Sequence, residues 1–146
     1  MEQYQKLLIA VDIEHDASDI IAKAMRLKGP QSEVRLITVI TPLTDALYAN
    51  GLGLVPPLID VVKLEEESRQ RAKEKLRELA GDQVAEDACD VLVGQTVDSV
   101  VDDAEDWNAD VIVLGSHGKS GLKLLLGSTA SGVLHHAKCD TLMVRI

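Results

Sequence analysis

Five short apolar runs recur along the chain with helix-length intervals between them: Lys6 to Asp12, Val34 to Ile40, Ala88 to Val93, Val111 to Leu114 and Thr141 to Arg145. All five read as strands, and the first two, short apolar runs without the alternation of a sheet with one wet face, read as buried on both faces. The intervals carry a different period. Ala17, Ile20, Ile21, Ala24 and Leu27 recur at helical spacing, with Asp16 placed to cap the start and Gly29-Pro30 to stop the end. Ile59, Val62, Ala72, Leu76 and Leu79 mark a long helix, Val97, Val100, Val101, Ala104 and Trp107 a third, and Ser128 to Ala137 a short fourth. Strands alternating with helices predict an α/β fold: an open, doubly wound, five-stranded parallel sheet with four helices and right-handed crossovers, forming one domain over residues 1–146.

The interior of such a fold has to be filled by aliphatic side chains here, because Phe is absent and aromatic residues make up only 2% of the chain. Trp107, the sole tryptophan, lies on an apolar helical stripe and is assigned to the core. With 24 acidic against 15 basic side chains the formal net charge is -9, which disfavours a phosphate backbone as partner. The dense charges from Lys63 to Lys75 read as the solvated face of the long helix. The start of the chain leads straight into the first apolar run, too short for a signal-peptide core or a membrane span, so a cytoplasmic location without membrane or nucleic-acid partners is expected. Residues 41–57 hold three prolines and two glycines among scattered apolar residues, too broken for regular structure.

The most informative segment is Gly115-Ser116-His117-Gly118-Lys119-Ser120-Gly121, followed by Leu122 to Leu126 and then Gly127-Ser128-Thr129. It follows a buried strand and precedes a helix. Ligands of open α/β sheets bind outside the carboxyl ends of the strands, and free amides at a helix start favour an anion. Glycines let the backbone approach a phosphate, while Lys119, Ser128 and Thr129 add charge or donors. Gly118-Lys119-Ser120 is not a P-loop, since position 113, where the first glycine would stand, is Val113. Gly115, Gly118 and Gly121 also lack the spacing of a dinucleotide fingerprint. A plain turn is the alternative reading of the loop taken alone.

At this point the chain resembles the universal stress protein family over essentially its whole length. Gly115-Ser116-His117-Gly118 and Gly127-Ser128 match the two ends of that family's nucleotide motif. Leu8-Ile9-Ala10-Val11-Asp12 and Cys139-Asp140-Thr141-Leu142-Met143-Val144-Arg145 resemble its first and last strands. The resemblance implies strand order 3-2-1-4-5. It also implies an adenine nucleotide, ATP or ADP or AMP, with the base near Ala10, Asp12 and Val39, the ribose and phosphates against Gly115, Gly118, Gly127, Ser128 and Thr129, and Leu114 among the binding residues; His117, inside the loop, reads either as a donor to a phosphate or as a stabiliser of the turn. Asp12 would lie near the ribose or a Mg2+ carried by the phosphates. Two features depart from the motif. Eight residues, Lys119 to Leu126, separate Gly118 from Gly127 where the pattern has nine, and Ile13-Glu14-His15-Asp16 replaces the usual Gly-Ser after the first-strand Asp. The Leu47-Tyr48 segment resembles the A-type branch, whose members generally do not hold ATP, so the alternative is an A-type protein acting through protein-protein contacts.

An enzyme needs a positioned nucleophile or an acid-base pair, and no dedicated catalytic residue is present in the pattern. Slow ATP hydrolysis with Mg2+ at Asp12 is compatible with it, but a non-enzyme is expected. His135 and His136, late in the last helix, suit its dipole better than a metal. The resemblance further implies a homodimer paired through the last strand, alongside protein partners the sequence does not name. Cys89 and Cys139 lie far apart, each beside a strand, and read as buried free thiols. Mass measurement under non-reducing conditions should therefore find two free thiols; a native intramolecular bridge would contradict this assignment.

Overall fold

A computed structural model describes residues 3–15, 17–42, 58–116 and 127–145. Five strands, β1 (Lys6–Ala10), β2 (Glu33–Ile40), β3 (Cys89–Val93), β4 (Val111–Gly115) and β5 (Asp140–Val144), form one parallel sheet in the order β3-β2-β1-β4-β5. Helices α1 (Ser18–Leu27), α2 (Leu58–Ala80), α3 (Thr96–Trp107) and α4 (Ser128–His136) connect them, with a 3-10 turn at Glu86–Ala88 before β3. The expected class and topology are present, with four helices among the described residues. The strand bounds differ by one or two residues from the apolar runs: β1 stops at Ala10, although the Val11 amide still donates to the Ile37 carbonyl at 3.0 Å, and the chain turns after Asp12, where the His15 amide donates to the Asp12 carbonyl at 3.3 Å.

The continuous apolar runs follow from burial on both faces. Along β1, Leu7 and Ile9 join Leu36, Val111 and Val113 beneath α1 and α2, with Ile20, Ile21, Ala24, Ala72 and Leu76 closing that core. Leu8 points the other way and joins Ile37, Ile112 and Leu114 beneath α3 and α4, with Val100, Ala104, Ala130 and Val133. The period-2 geometry of a strand sends neighbours to opposite faces, so a strand covered twice needs apolar residues at every position. Register matches this: Ile9 lies between Leu36 and Val113.

Several sequence expectations are corrected. Val62 does not face the core; it is 58% exposed, and Val61 takes the inward position instead, since one residue along a helix is a 100° turn. Trp107 is half-buried against the α3/α4 core, with the Lys6 ammonium 5.2 Å from its ring centre, and Lys6 Nζ also donates to the Trp107 carbonyl at 3.1 Å. Both thiols are free, but only Cys89 is buried; Cys139 is half-buried, and burial pushes both above the usual thiol range. The start of α1 has Ala17 at the cap position with no side-chain cap, while Asp16 lies outside the described residues.

Polar contacts tie the two layers to the sheet. Arg35 on β2 donates through Nε and a terminal nitrogen to both oxygens of Asp103 on α3, at 2.8 and 2.9 Å, and to Asp90 on β3 at 3.2 Å. This bidentate fork raises the guanidinium further above its already high range. Gln95 caps α3 by accepting from the Asp98 amide at 2.8 Å, and Asn108 ends it in the left-handed conformation at φ 62°. Among the described residues no helix is long and apolar enough to cross a membrane.

The approach of α4 to α3 depends on Gly132. A Cβ placed there would lie 2.6 Å from Val97 Cγ2 and 3.1 Å from Cγ1. Val97 is β-branched and stiff, so the helices would have to separate. Overpacking of this kind costs about 1–3 kcal/mol, against the roughly 1 kcal/mol that alanine gains over glycine in a helix. Gly132→Ala should therefore lower stability to chemical denaturation by about 1 kcal/mol, and in a Val97→Ala background the same change should become neutral or stabilising.

Candidate functional site

In a parallel sheet every strand points its carboxyl end to the same edge, and here that edge opens into a cavity of about 790 Å3. It sits where β1 has β2 on one side and β4 on the other, the point at which successive connections run in opposite directions across the sheet. The volume lies within the range of small-molecule and cofactor sites.

Eight of the ten expected binding residues fall within the described structure, and all eight line this one cavity: Ala10, Asp12, Val39, Leu114, Gly115, Gly127, Ser128 and Thr129. His117 and Gly118 lie outside the described residues, as do Lys119 and the rest of the loop to Leu126. Ala10, Val39 and Leu114 belong to the α3/α4 face and give the cavity an apolar wall. Asp12, just past β1, is shaped by its own turn: Oδ1 accepts from the Glu14 amide at 3.0 Å and Oδ2 lies 3.8 Å from His15 Nε2.

The start of α4 is the polar end of the wall. Gly127 occupies the cap position with φ -59° and ψ 154°, and it brings no side chain to the helix start. Its amide donates to the Ser116 carbonyl at 2.7 Å, which anchors the helix start to the end of β4. Its carbonyl accepts from the Ser131 amide at 2.9 Å, beginning the helical ladder. The amides of Ser128, Thr129 and Ala130 therefore have no intrahelical acceptor, and together with the helix dipole they favour an anion. Nearby, Ser116 Oγ is buried with no hydrogen-bond partner among the described residues.

The sequence did not mark Thr38, Thr41 or Thr96, which also line the cavity, whereas Glu14 and His15 of the segment that replaces the usual Gly-Ser stand beside Asp12. More unexpectedly, Ser68, Arg71, Ala72 and Lys75 of α2 line the cavity too. The charge run assigned to solvent is thus only partly that: most of its side chains are exposed, but this stripe faces the cavity. The i, i+3, i+4, i+7 spacing of those four residues was the available signal, hidden because Ala72 had been assigned to the core stripe alone. Among the described residues no group of three His, Cys, Asp or Glu side chains is placed to hold a metal, and His135 and His136 are exposed at the far end of α4.

A doubly wound α/β domain with an anion-favouring cavity at its switch point is the class these features define. Comparison with known proteins narrows it. Residues 3–145 match the model of the universal stress protein family. The chain is 34% identical to universal stress protein A homolog 2 of Coxiella burnetii, covering 100% of this chain and 98% of that protein. It is 32% identical to a universal stress protein of Synechocystis, covering 97% and 98%. Among solved structures, the protein designated MJ0577 superposes with a TM-score of 0.78 at 26% identity, covering 99% and 98%. A universal stress protein solved in complex with cAMP shares the fold, with a TM-score of 0.60 at 20% identity over 99% and 98%. The chain belongs to the universal stress protein family.

Proposed function

We propose that this chain is a cytoplasmic stress-response domain that binds an adenine nucleotide in the switch-point cavity and works as a homodimer, without dedicated catalytic chemistry. One observation carries the nucleotide reading: an apolar wall of Ala10, Val39 and Leu114 and the open amides at the start of α4 line one cavity of nucleotide size. The base would stack on that wall, the ribose would lie by Asp12, and the phosphates would meet Gly127, Ser128 and Thr129. The relative solved with cAMP supports a nucleotide as the ligand class. A Mg2+ ion would arrive with the phosphates, with Asp12 on the cavity wall as a carboxylate ligand. A bound nucleotide would supply the charge state that partners read, and the chain's own residues would hold it.

The dimer reading rests on β5. It is an edge strand paired only with β4 among the described residues, and Thr141, Leu142 and Met143 are half-buried rather than covered. Exposed Leu134 lies on α4, which packs against β5. A symmetry mate would cover that edge.

Calorimetry with ATP and Mg2+ tests the first part. The backbone angles of Gly127 are open to any residue, so Gly127→Val adds no backbone strain and puts a branched side chain in the phosphate path; thermal unfolding of the variant checks that it is folded. Loss of charge-assisted amide contacts costs about 1.5–3 kcal/mol, so affinity should fall by roughly 10- to 150-fold. His135→Ala should leave it unchanged. Absence of heat and of thermal stabilisation at millimolar nucleotide in the unaltered protein would refute nucleotide binding. Sedimentation tests the second part: the protein should be dimeric at micromolar concentration and Met143→Lys monomeric, and a monomeric unaltered protein would refute the dimer.

A further inference from the structure

The α4 start accounts for one end of the cavity and leaves the α2 end unexplained. Ser68, Arg71, Ala72 and Lys75 stand on one stripe of α2, and all four line the cavity. Arg71 and Lys75 are exposed and make no ion pair among the described residues. They are four residues apart on a helix, so two like charges sit one turn above each other, an arrangement that weakens the helix rather than supporting it. Ala72 between them is 3% exposed and packs into the α1/α2 core, so the small residue seats the helix close to the strand ends and carries the two cations to the cavity rim. The chain as a whole carries a net charge of -9, and Asp12 and Glu14 line the same cavity. Two unpaired cations held together here, at a mutual cost and beside two carboxylates, match an incoming anion.

The two anion-favouring features lie on opposite faces of the sheet. The start of α4 belongs with the α3/α4 core, and the α2 stripe with the α1/α2 core. We propose that Arg71 and Lys75, with the Ser68 hydroxyl, form a second phosphoryl subsite, so that the cavity selects nucleotides bearing phosphoryl groups beyond the one held at α4. The second group is either the end of a 5′-polyphosphate chain or a phosphate on the ribose 3′ position; the recognising chemistry, a guanidinium and an ammonium converging on a dianion, is the same. This subsite deepens the nucleotide reading above and rests on it for the identity of the ligand.

The test compares AMP, ATP and adenosine 3′,5′-bisphosphate on the unaltered protein and on R71Q/K75Q. Both changes are at exposed positions and keep the side chains polar, so the fold is retained. ATP or the bisphosphate should bind the unaltered protein at least 10-fold more tightly than AMP does, and whichever does so locates the second group. R71Q/K75Q should erase that margin while altering AMP affinity less than twofold. K63Q/R69Q removes the same charge from exposed α2 positions outside the cavity wall and should leave the margin intact. No margin in the unaltered protein, a margin that survives R71Q/K75Q, or an equal loss in K63Q/R69Q would overturn the subsite. Inorganic tripolyphosphate separates the two readings. If no nucleotide binds but tripolyphosphate raises the Tm of the unaltered protein and not of R71Q/K75Q, the nucleotide reading falls and the subsite stands; if it raises neither, both fall.

Discussion

Everything in this molecule depends on the burial of β1 from both sides. Leu7, Leu8 and Ile9 are each 0% exposed, and they alternate between the two cores, as Val111 to Leu114 of neighbouring β4 do. A central strand of this kind can exist only if helices cover both faces, and two helices per face are what the intervals between strands provide. Without aromatic bulk to fill the space, packing falls to β-branched and aliphatic side chains, whose shape suits a pleated surface. Gly132 against Val97 and the Arg35 fork to Asp103 bring the outer layer close enough to seal that core.

The cavity is a consequence of the same constraint. Parallel strands with helical returns put all carboxyl ends at one edge, and the reversal of connection between β1 and β4 leaves a gap there that the helices on the two faces do not close. Stability and binding use different residues of the same strands: Leu8 and Ile9 hold the sheet, while Ala10 and Asp12, one step beyond, belong to the cavity wall. The glycine at the cap of α4 belongs to both accounts. It ties the helix to β4 through the Ser116 carbonyl and brings no side chain over the amides that follow.

Electrostatically the site runs against the rest of the surface. An acidic chain repels a phosphorylated ligand at long range, an effect that salt screens over about 10 Å at 0.1 M. Close to the cavity, the α4 amides and the Arg71 and Lys75 side chains offset the Asp12 and Glu14 carboxylates that share its wall. A ligand would therefore be held by short-range contacts rather than steered from afar, and dissociation rather than association would carry most of its selectivity.

The sequence alone determined the class of the fold. Apolar runs without alternation mean strands buried twice, helical stripes between them mean crossovers, and local periodicity is enough to read both. It also marked Gly115, Gly127, Ser128 and Thr129, because a glycine-rich turn between strand and helix is a local pattern. Family resemblance supplied Ala10, Asp12, Val39 and Leu114, and all eight line one cavity. What only the tertiary structure decided was which side of α2 faces in. Val61 and not Val62 is buried, and Arg71 and Lys75 look onto the cavity although their run resembles a solvated face. The reason is physical: a helix's pattern tells which residues share a stripe, but a stripe of Ser, Arg, Ala and Lys is compatible with water or with a polar cavity, and only the packing of α2 against β2 and β3 chooses between them.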